Sequence, residues 1–225
     1  MKKQLLFLVA IFSLLSVMPA AAQYQRGGHG RTNSTYRGSR HYSLAPNWYG
    51  GLRFGLSASH VNSDAPYLDG GNTKSGLNVG AVAGVQLAPS TPLFFETGLL
   101  YSEKGGKGSD HGDKFTFNLN YIEVPLVLKY SAYVAPATAV EPFVGGYMAC
   151  GVGGKIKDFG QRAAYSSFND GNFKRFDGGI RVGCGVAYEM LYAEIGYDFG
   201  LTNIGDDVFN DTHNGAFFAN VGINF

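Results

Sequence analysis

From Trp48 to Phe225 the chain alternates apolar and polar residues with a period of two, and the alternation restarts eight times. The clearest stretch is Tyr121 to Tyr130, in which Ile122, Val124, Leu126, Leu128 and Tyr130 form one apolar row and Glu123, Pro125, Val127 and Lys129 share the other parity. It is too short and too charged to cross a bilayer as a helix, so it is predicted as a strand. Pro125 cannot donate to a ladder, which predicts a bulge or an unmade bond there. The same reading places strands at about 48–61, 75–87, 93–104, 117–133, 141–153, 175–188, 191–202 and up to the last residue. In the last strand, Phe217, Ala219, Val221, Ile223 and Phe225 are set against Asn220, Gly222 and Asn224, and Phe217, Val221, Ile223 and Phe225 mark it as the assembly strand. The connections at 88–92, 134–140 and 189–190 are short, whereas those at 62–74, 105–116, 154–174 and 203–213 are long. Short turns at one end and long loops at the other predict an all-β, eight-stranded antiparallel up-and-down transmembrane β-barrel spanning 48–225.

Composition decides which face meets oil. A soluble ligand-binding barrel also alternates, but its outer surface should be crowded with Lys and Glu. Here charged residues are only 16% and the polar parity is mostly Gly, Ser and Asn, with 33 glycines in the chain. Small residues suit a narrow lumen, and on the lipid face a midplane Arg or Lys would cost about 2–4 kcal/mol. The apolar parity is therefore predicted outward. Trp48, Tyr49, Tyr101, Tyr121, Tyr130, Tyr188, Tyr197 and Phe225 fit interfacial girdles.

The N-terminus fits export. Lys2 and Lys3, an apolar run from Leu5 to Val17 and the small residues Ala20 and Ala22 predict a signal peptide over 1–22, followed by a flexible Gly-, Ser-, Tyr- and Arg-rich periplasmic linker over 23–47. Cleavage leaves 16 basic against 17 acidic residues, a net of −1, which argues against nucleic acid as a partner. The expected location is the cell outer membrane.

Ionised groups inside a narrow barrel must pair. A two-residue turn at Glu189-Met190 sets Tyr188 against Leu191 and, counting back, Arg181 against Asp198. A similar count across 105–116 brings Glu96 near Lys129. The predicted lumen charge network is Arg53, Glu96, Glu123, Lys129, Arg181, Glu194 and Asp198, acting as a structural polar plug. Eight strands leave an interior just wide enough for side chains, which opposes a general pore.

Four segments, Gly98-Leu-Leu-Tyr-Ser-Glu-Lys-Gly105, Tyr121-Ile-Glu-Val-Pro-Leu-Val-Leu-Lys-Tyr130, Tyr197-Asp-Phe-Gly-Leu-Thr-Asn-Ile204 and Val221-Gly-Ile-Asn-Phe225, resemble the PorT-like family of outer-membrane β-barrels. The likeness covers about Trp48 to Phe225 and is most specific in the Glu-x-Pro-Leu strand. It implies an eight-stranded barrel, and because some members are linked to type IX secretion, it implies secretion-complex proteins as partners. The family has no agreed catalytic motif, so no functional residue carries over.

Other chemistry is weaker. His60, His111 and His213 fall at the outer end near Ser63, Ser102 and Ser109, but without a spacing motif they predict no enzyme. Asp206, Asp207 and Asp211 in one loop, and Asp110, His111 and Asp113 in another, match no calcium-loop spacing, and no metal or cofactor is expected. The 154–174 connection mixes charge with aromatic area, so Lys157, Phe159, Arg162, Tyr165, Phe168 and Phe173 are predicted as an outer-loop contact for a partner or lipopolysaccharide. Outer-membrane lipid is the other expected partner. Cys150 and Cys184 lie on neighbouring strands; with Tyr147 facing lipid, their parities are opposite and both are expected free.

Overall fold

A computed structural model describes residues 48–63, 70–110, 113–158, 164–168, 173–205 and 212–225. The expected signal peptide and linker lie outside the described residues.

Among the described residues eleven strands form: β1 Trp48–Asn62, β2 Gly70–Ala88, β3 Thr91–Asp110, β4 Asp113–Tyr130, β5 Ala132–Ala135, β6 Thr138–Gly153, β7 Lys155–Asp158, β8 Tyr165–Ser166, β9 Phe176–Tyr188, β10 Leu191–Gly200 and β11 His213–Asn224. Eight of them close a circle in the order β1, β2, β3, β4, β6, β9, β10, β11 and back to β1, every neighbour antiparallel. The seam joins the first and last strands, from Gly51 opposite Asn224 to Asn62 opposite His213. The fold is therefore a closed eight-stranded barrel.

Side-chain period fixes the two surfaces. Residues of odd number on β1, β4 and β6 and of even number on β2, β3, β10 and β11 point to the axis, while Leu52, Phe54, Leu56, Val79, Leu99, Leu128, Val144, Ile195 and Val221 lie exposed on the outside. On β4 the outer row from Ile122 to Tyr130 is a band about 20 Å tall at barrel tilt, the scale of a bilayer core. Trp48, Tyr130, Tyr188 and Phe225 stand at its lower rim. Two aromatic residues assigned to the girdle belong instead to the interior: Tyr121 is fully buried, and the Tyr49 hydroxyl donates to Glu96 Oε2 at 2.6 Å. Their parity is that of Glu123 and Arg53, and that overrides the interfacial preference of the ring.

At Pro125 the β3–β4 register runs on without a shift, and the ladder skips from Thr97–Leu126 to Leu100–Glu123. Proline leaves bonds unmade rather than bulging the strand.

The outer end is built differently from the loops expected there. The β3–β4 ladder continues through Lys104–Leu119 to Asp110–Asp113, so most of 105–116 is strand. Gly105, Gly106 and Gly108 erase the apolar alternation without stopping the backbone ladder. Gly105 has φ 131°, a conformation closed to most side chains, and its Cα faces the carbonyl of Phe117. Within 154–174, β7 adds to the top of β4 and β8 adds to β7, giving a β-extension that rises above the barrel.

Cys150 and Cys184 are both free and both face outward. The assumption that Tyr147 meets lipid is corrected: Tyr147 is buried in the lumen, its parity blurred in sequence by Gly145, Gly146, Gly151 and Gly153. Register keeps the thiols apart, because Cys150 sits opposite Phe176 and Cys184 opposite Pro142.

Candidate functional site

The inward charges fall into two layers. In the upper layer, Lys104 on β3, Glu123 on β4, Arg181 on β9 and Asp198 on β10 meet across the axis. Arg181 Nε donates to Asp198 Oδ1 at 2.7 Å and Arg181 Nη2 to Asp198 Oδ2 at 2.8 Å, a bidentate pair, while Nη2 also reaches Glu123 Oε1. Lys104 Nζ lies 2.7 Å from Glu123 Oε2 and 3.0 Å from Asp198 Oδ2. Two cations and two carboxylates thus neutralise one another with almost no water contact. Aromatic faces complete the cage, with Lys104 Nζ 4.1 Å from the Tyr147 ring centre and Arg181 Cζ 4.5 Å from that of Phe218. Just above, Asp177 accepts from Asn214 Nδ2 at 3.0 Å.

The lower layer centres on Glu96. Lys129 Nζ donates to Glu96 Oε2 at 2.8 Å and to the Tyr192 hydroxyl at 2.8 Å, and Arg53 Nη2 stands 3.3 Å from the same carboxylate oxygen. Arg53 Nη1 donates to Asn224 Oδ1 at 2.7 Å, and its guanidinium lies 4.0 Å over the Tyr192 ring. Glu141 sits 4.0 Å from Lys129 and accepts from Ser131 Oγ at 2.6 Å.

Of the seven residues named from sequence, the structure brings Glu123, Arg181 and Asp198 into one layer and Arg53, Glu96 and Lys129 into the other. Glu194 faces the lumen between them, accepting from Asn220 Nδ2 at 2.9 Å. Sequence reasoning misses Lys104, Glu141 and Asp177, and also the tyrosines that carry the packing. Lys104 stands where the alternation of its strand gives out. Between the layers, Val82, Leu100, Val127, Phe143 and Phe218 line a cavity of about 10 Å³, room for roughly one water.

Glycine makes this filling possible. A side chain at Gly183 would meet the Phe143 ring, at Gly196 the Phe218 ring and at Gly185 the Tyr192 ring, so each of these three glycines is the seat of an aromatic from an adjacent strand.

The outer mouth is capped. Phe168 packs edge-on against Tyr121 with ring centres 5.7 Å apart, and Phe173 against Phe117 at 5.2 Å. Both join Val61, Leu119, Ile156 and Ile204 in one buried apolar cluster. The expectation that Phe168 and Phe173 form an outer contact surface is therefore corrected. The inward rings of Phe117 and Tyr121 would otherwise face water at the mouth, and folding the connection over them removes that area. Of the other contact candidates, Lys157 is exposed on β7, and Tyr165 lies on β8 with its side chain outside the described set. Phe159 and Arg162 lie outside the described residues.

The outer polar residues have partners of their own. Ser102 Oγ donates to Asn78 Oδ1 at 2.8 Å inside the lumen, Ser63 and Thr212 hydroxyls are 3.0 Å apart, and His213 Nδ1 is 3.1 Å from the Thr202 carbonyl. His60 Nε2 is 3.5 Å from the Tyr197 hydroxyl. His111, Asp206, Asp207 and Asp211 lie outside the described residues, as do the side chains of Ser109, Asp110 and Asp113. The assembly-strand residues Phe217, Val221, Ile223 and Phe225 all face outward.

The sequence pattern of a family described as "Outer membrane protein beta-barrel domain" matches residues 24–206. No curated protein matches the chain. Solved structures similar to it include Ail, the attachment invasion locus protein of Yersinia pestis, in complex with the heparin analogue sucrose octasulfate (12% identity, 79% of this chain and 99% of that one, TM-score 0.40). Neisserial surface protein A is similar at 15% identity over 79% of this chain and 95% of that one, TM-score 0.43. A major outer membrane protein from Thermus thermophilus is similar at 15% identity over 80% of this chain and all (100%) of that one, TM-score 0.46.

Proposed function

Because the chain belongs to the outer membrane protein β-barrel domain family and resides in the outer membrane, we propose that it is a non-enzymatic, non-conducting membrane anchor that serves a secretion or assembly complex. The observation that carries this reading is the filled lumen: among the described residues, two neutral ion layers, an aromatic waist and an apolar cap occupy the interior. Work must then be done by the protein's outside. The PorT-like character of the Glu123-Val-Pro-Leu126 strand and of the C-terminal segment supports secretion-complex proteins as the partners.

Purified barrel in planar bilayers is expected to show no steady conductance. Pull-down of the intact barrel from detergent-solubilised outer membrane, paired with a secretion assay in a deletion strain, is expected to recover a stable partner and to show reduced export. Recovery of no partner together with normal export overturns the reading. Lipid A acyl chains are expected to be identical with and without the gene; a changed acyl pattern would mean that the barrel is a lipid-modifying enzyme.

A second reading is a surface barrel whose outer strands contact lipopolysaccharide or another partner. It is favoured by the exposed lysines of the β-extension.

A further inference from the structure

The extension turns a lysine-studded face outward, above the apolar band. On β3, β4 and β7 the register sets Lys107 opposite Thr116 and Thr116 opposite Lys157, so one threonine is flanked on both sides by lysine. Ser109 lies opposite Lys114 one repeat higher, and Lys155 opposite Ser166 on β8 extends the same face. All four lysines are exposed, and Thr116 is half-buried between them. The opposite parity of these strands, Phe117 and Ile156, is buried in the capping cluster, so the lysines have no choice of face. Among the described residues, no carboxylate is in ion-pair contact with any of the four.

Strand spacing puts the Lys107 and Lys157 backbones about 10 Å apart with Thr116 midway, and Lys114 about 7 Å along β4. Four-carbon stems let all three ammonium groups converge on one anion seated over the Thr116 hydroxyl. The height is also set: Tyr101 and Ile122 end the apolar band on β3 and β4, and Lys107 and Thr116 stand six residues higher, roughly 15 Å above it at barrel tilt. That is the zone of the outer leaflet's phosphorylated sugars, and it lies beside the barrel wall.

We propose that Lys107, Lys114, Lys155 and Lys157, around Thr116, form a docking face for the phosphate groups of the glycolipid in the outer leaflet, holding the β-extension down on the membrane surface. This deepens the second reading of function and is independent of the secretion reading. Each lysine near an anionic surface is an additive, salt-screened contribution, so the face acts as a cluster and not as a single-residue pocket.

The test uses the full barrel in detergent micelles, titrated by calorimetry with three probes: purified rough lipopolysaccharide, the same lipopolysaccharide dephosphorylated with hydrogen fluoride, and inorganic phosphate alone. The variant replaces Lys107, Lys114, Lys155 and Lys157 with Gln, and a second replaces all four with Arg; heat-shifted mobility on gels checks that each barrel is closed. The native barrel is expected to bind intact lipopolysaccharide at least tenfold more tightly than the dephosphorylated form. The Gln variant should lose that preference and the Arg variant keep it, and binding should weaken as salt rises. Free phosphate is expected to compete only at far higher concentration. Equal binding by the native barrel and a closed Gln variant overturns the proposal, as does equal binding of the dephosphorylated lipid. Tight binding of free phosphate would also overturn it, by replacing the lipid face with a soluble-anion site. None of these outcomes bears on partner pull-down or export, so the two proposals fail separately.

Discussion

Arg181 shows why an ion belongs inside this barrel at all. Its guanidinium serves Asp198 through two bonds and Glu123 through a third, while Lys104 bridges the same two carboxylates from the opposite wall. Removing one member strands charge in a dry interior. Arg181→Met is expected to lower stability by about 3–5 kcal/mol, read as a shift of the urea unfolding midpoint of the detergent-solubilised barrel. Adding Asp198→Leu to that variant should recover part of the loss, since it leaves Lys104 and Glu123 as a balanced pair in place of one cation shared by two carboxylates. The Arg181–Asp198 pairing can be counted from sequence because only Glu189 and Met190 separate the strands, and a two-residue turn leaves no freedom of register. Glu96 and Lys129 are near each other as the count implies, but they meet diagonally: Glu96 is opposite Val127 and Lys129 opposite Phe94. Lys104 and Tyr147 are not legible, one hidden beside Gly105 and Gly106, the other in a glycine-rich strand where neither parity looks apolar.

At the scale of elements, turns and glycines carry the strain. Glu189 is in the left-handed region at φ 51°, which costs a residue with a Cβ about 1 kcal/mol. Glu189→Gly should raise stability by a few tenths of a kcal/mol to about 1 kcal/mol, less the extra entropy of an unfolded glycine, with the melting temperature as readout. Gly105→Ala runs the other way. Its φ of 131° and the facing Phe117 carbonyl leave no room, so the β3–β4 extension should fray and its amides exchange faster while β9 and β10 stay protected. The eight spanning strands are readable because lipid and lumen impose strict alternation on them. The extension is not, because its ladder is backbone-made and runs through residues with little side-chain pattern.

For the whole molecule, in the proposed non-conducting reading, cap and ion layers are redundant seals. Replacing both Phe168 and Phe173 with Ala should cost about 3–5 kcal/mol or more in the outer cluster and raise hydrogen exchange at 165–168 and 173–176. Conductance should nevertheless remain absent, because the layers around Arg181 and Glu96 lie beneath. A steady current in that variant would mean that the lower layers move with the cap. The outward turn of the apolar parity is legible from the scarcity of charge; the inward fold of Phe168 and Phe173 is not, since aromatic residues in a long connection fit a sticky surface and a lid equally well. The barrel is also circular, and the partner of β1 is β11, whose first residue is more than 150 positions downstream. Until β11 has been made, β1 and β10 each present a row of unmatched amides that hydrocarbon cannot satisfy. A half-built chain therefore has no resting state in the bilayer. Insertion has to await β11, or borrow a strand from a catalyst that holds the gap open until β11 arrives.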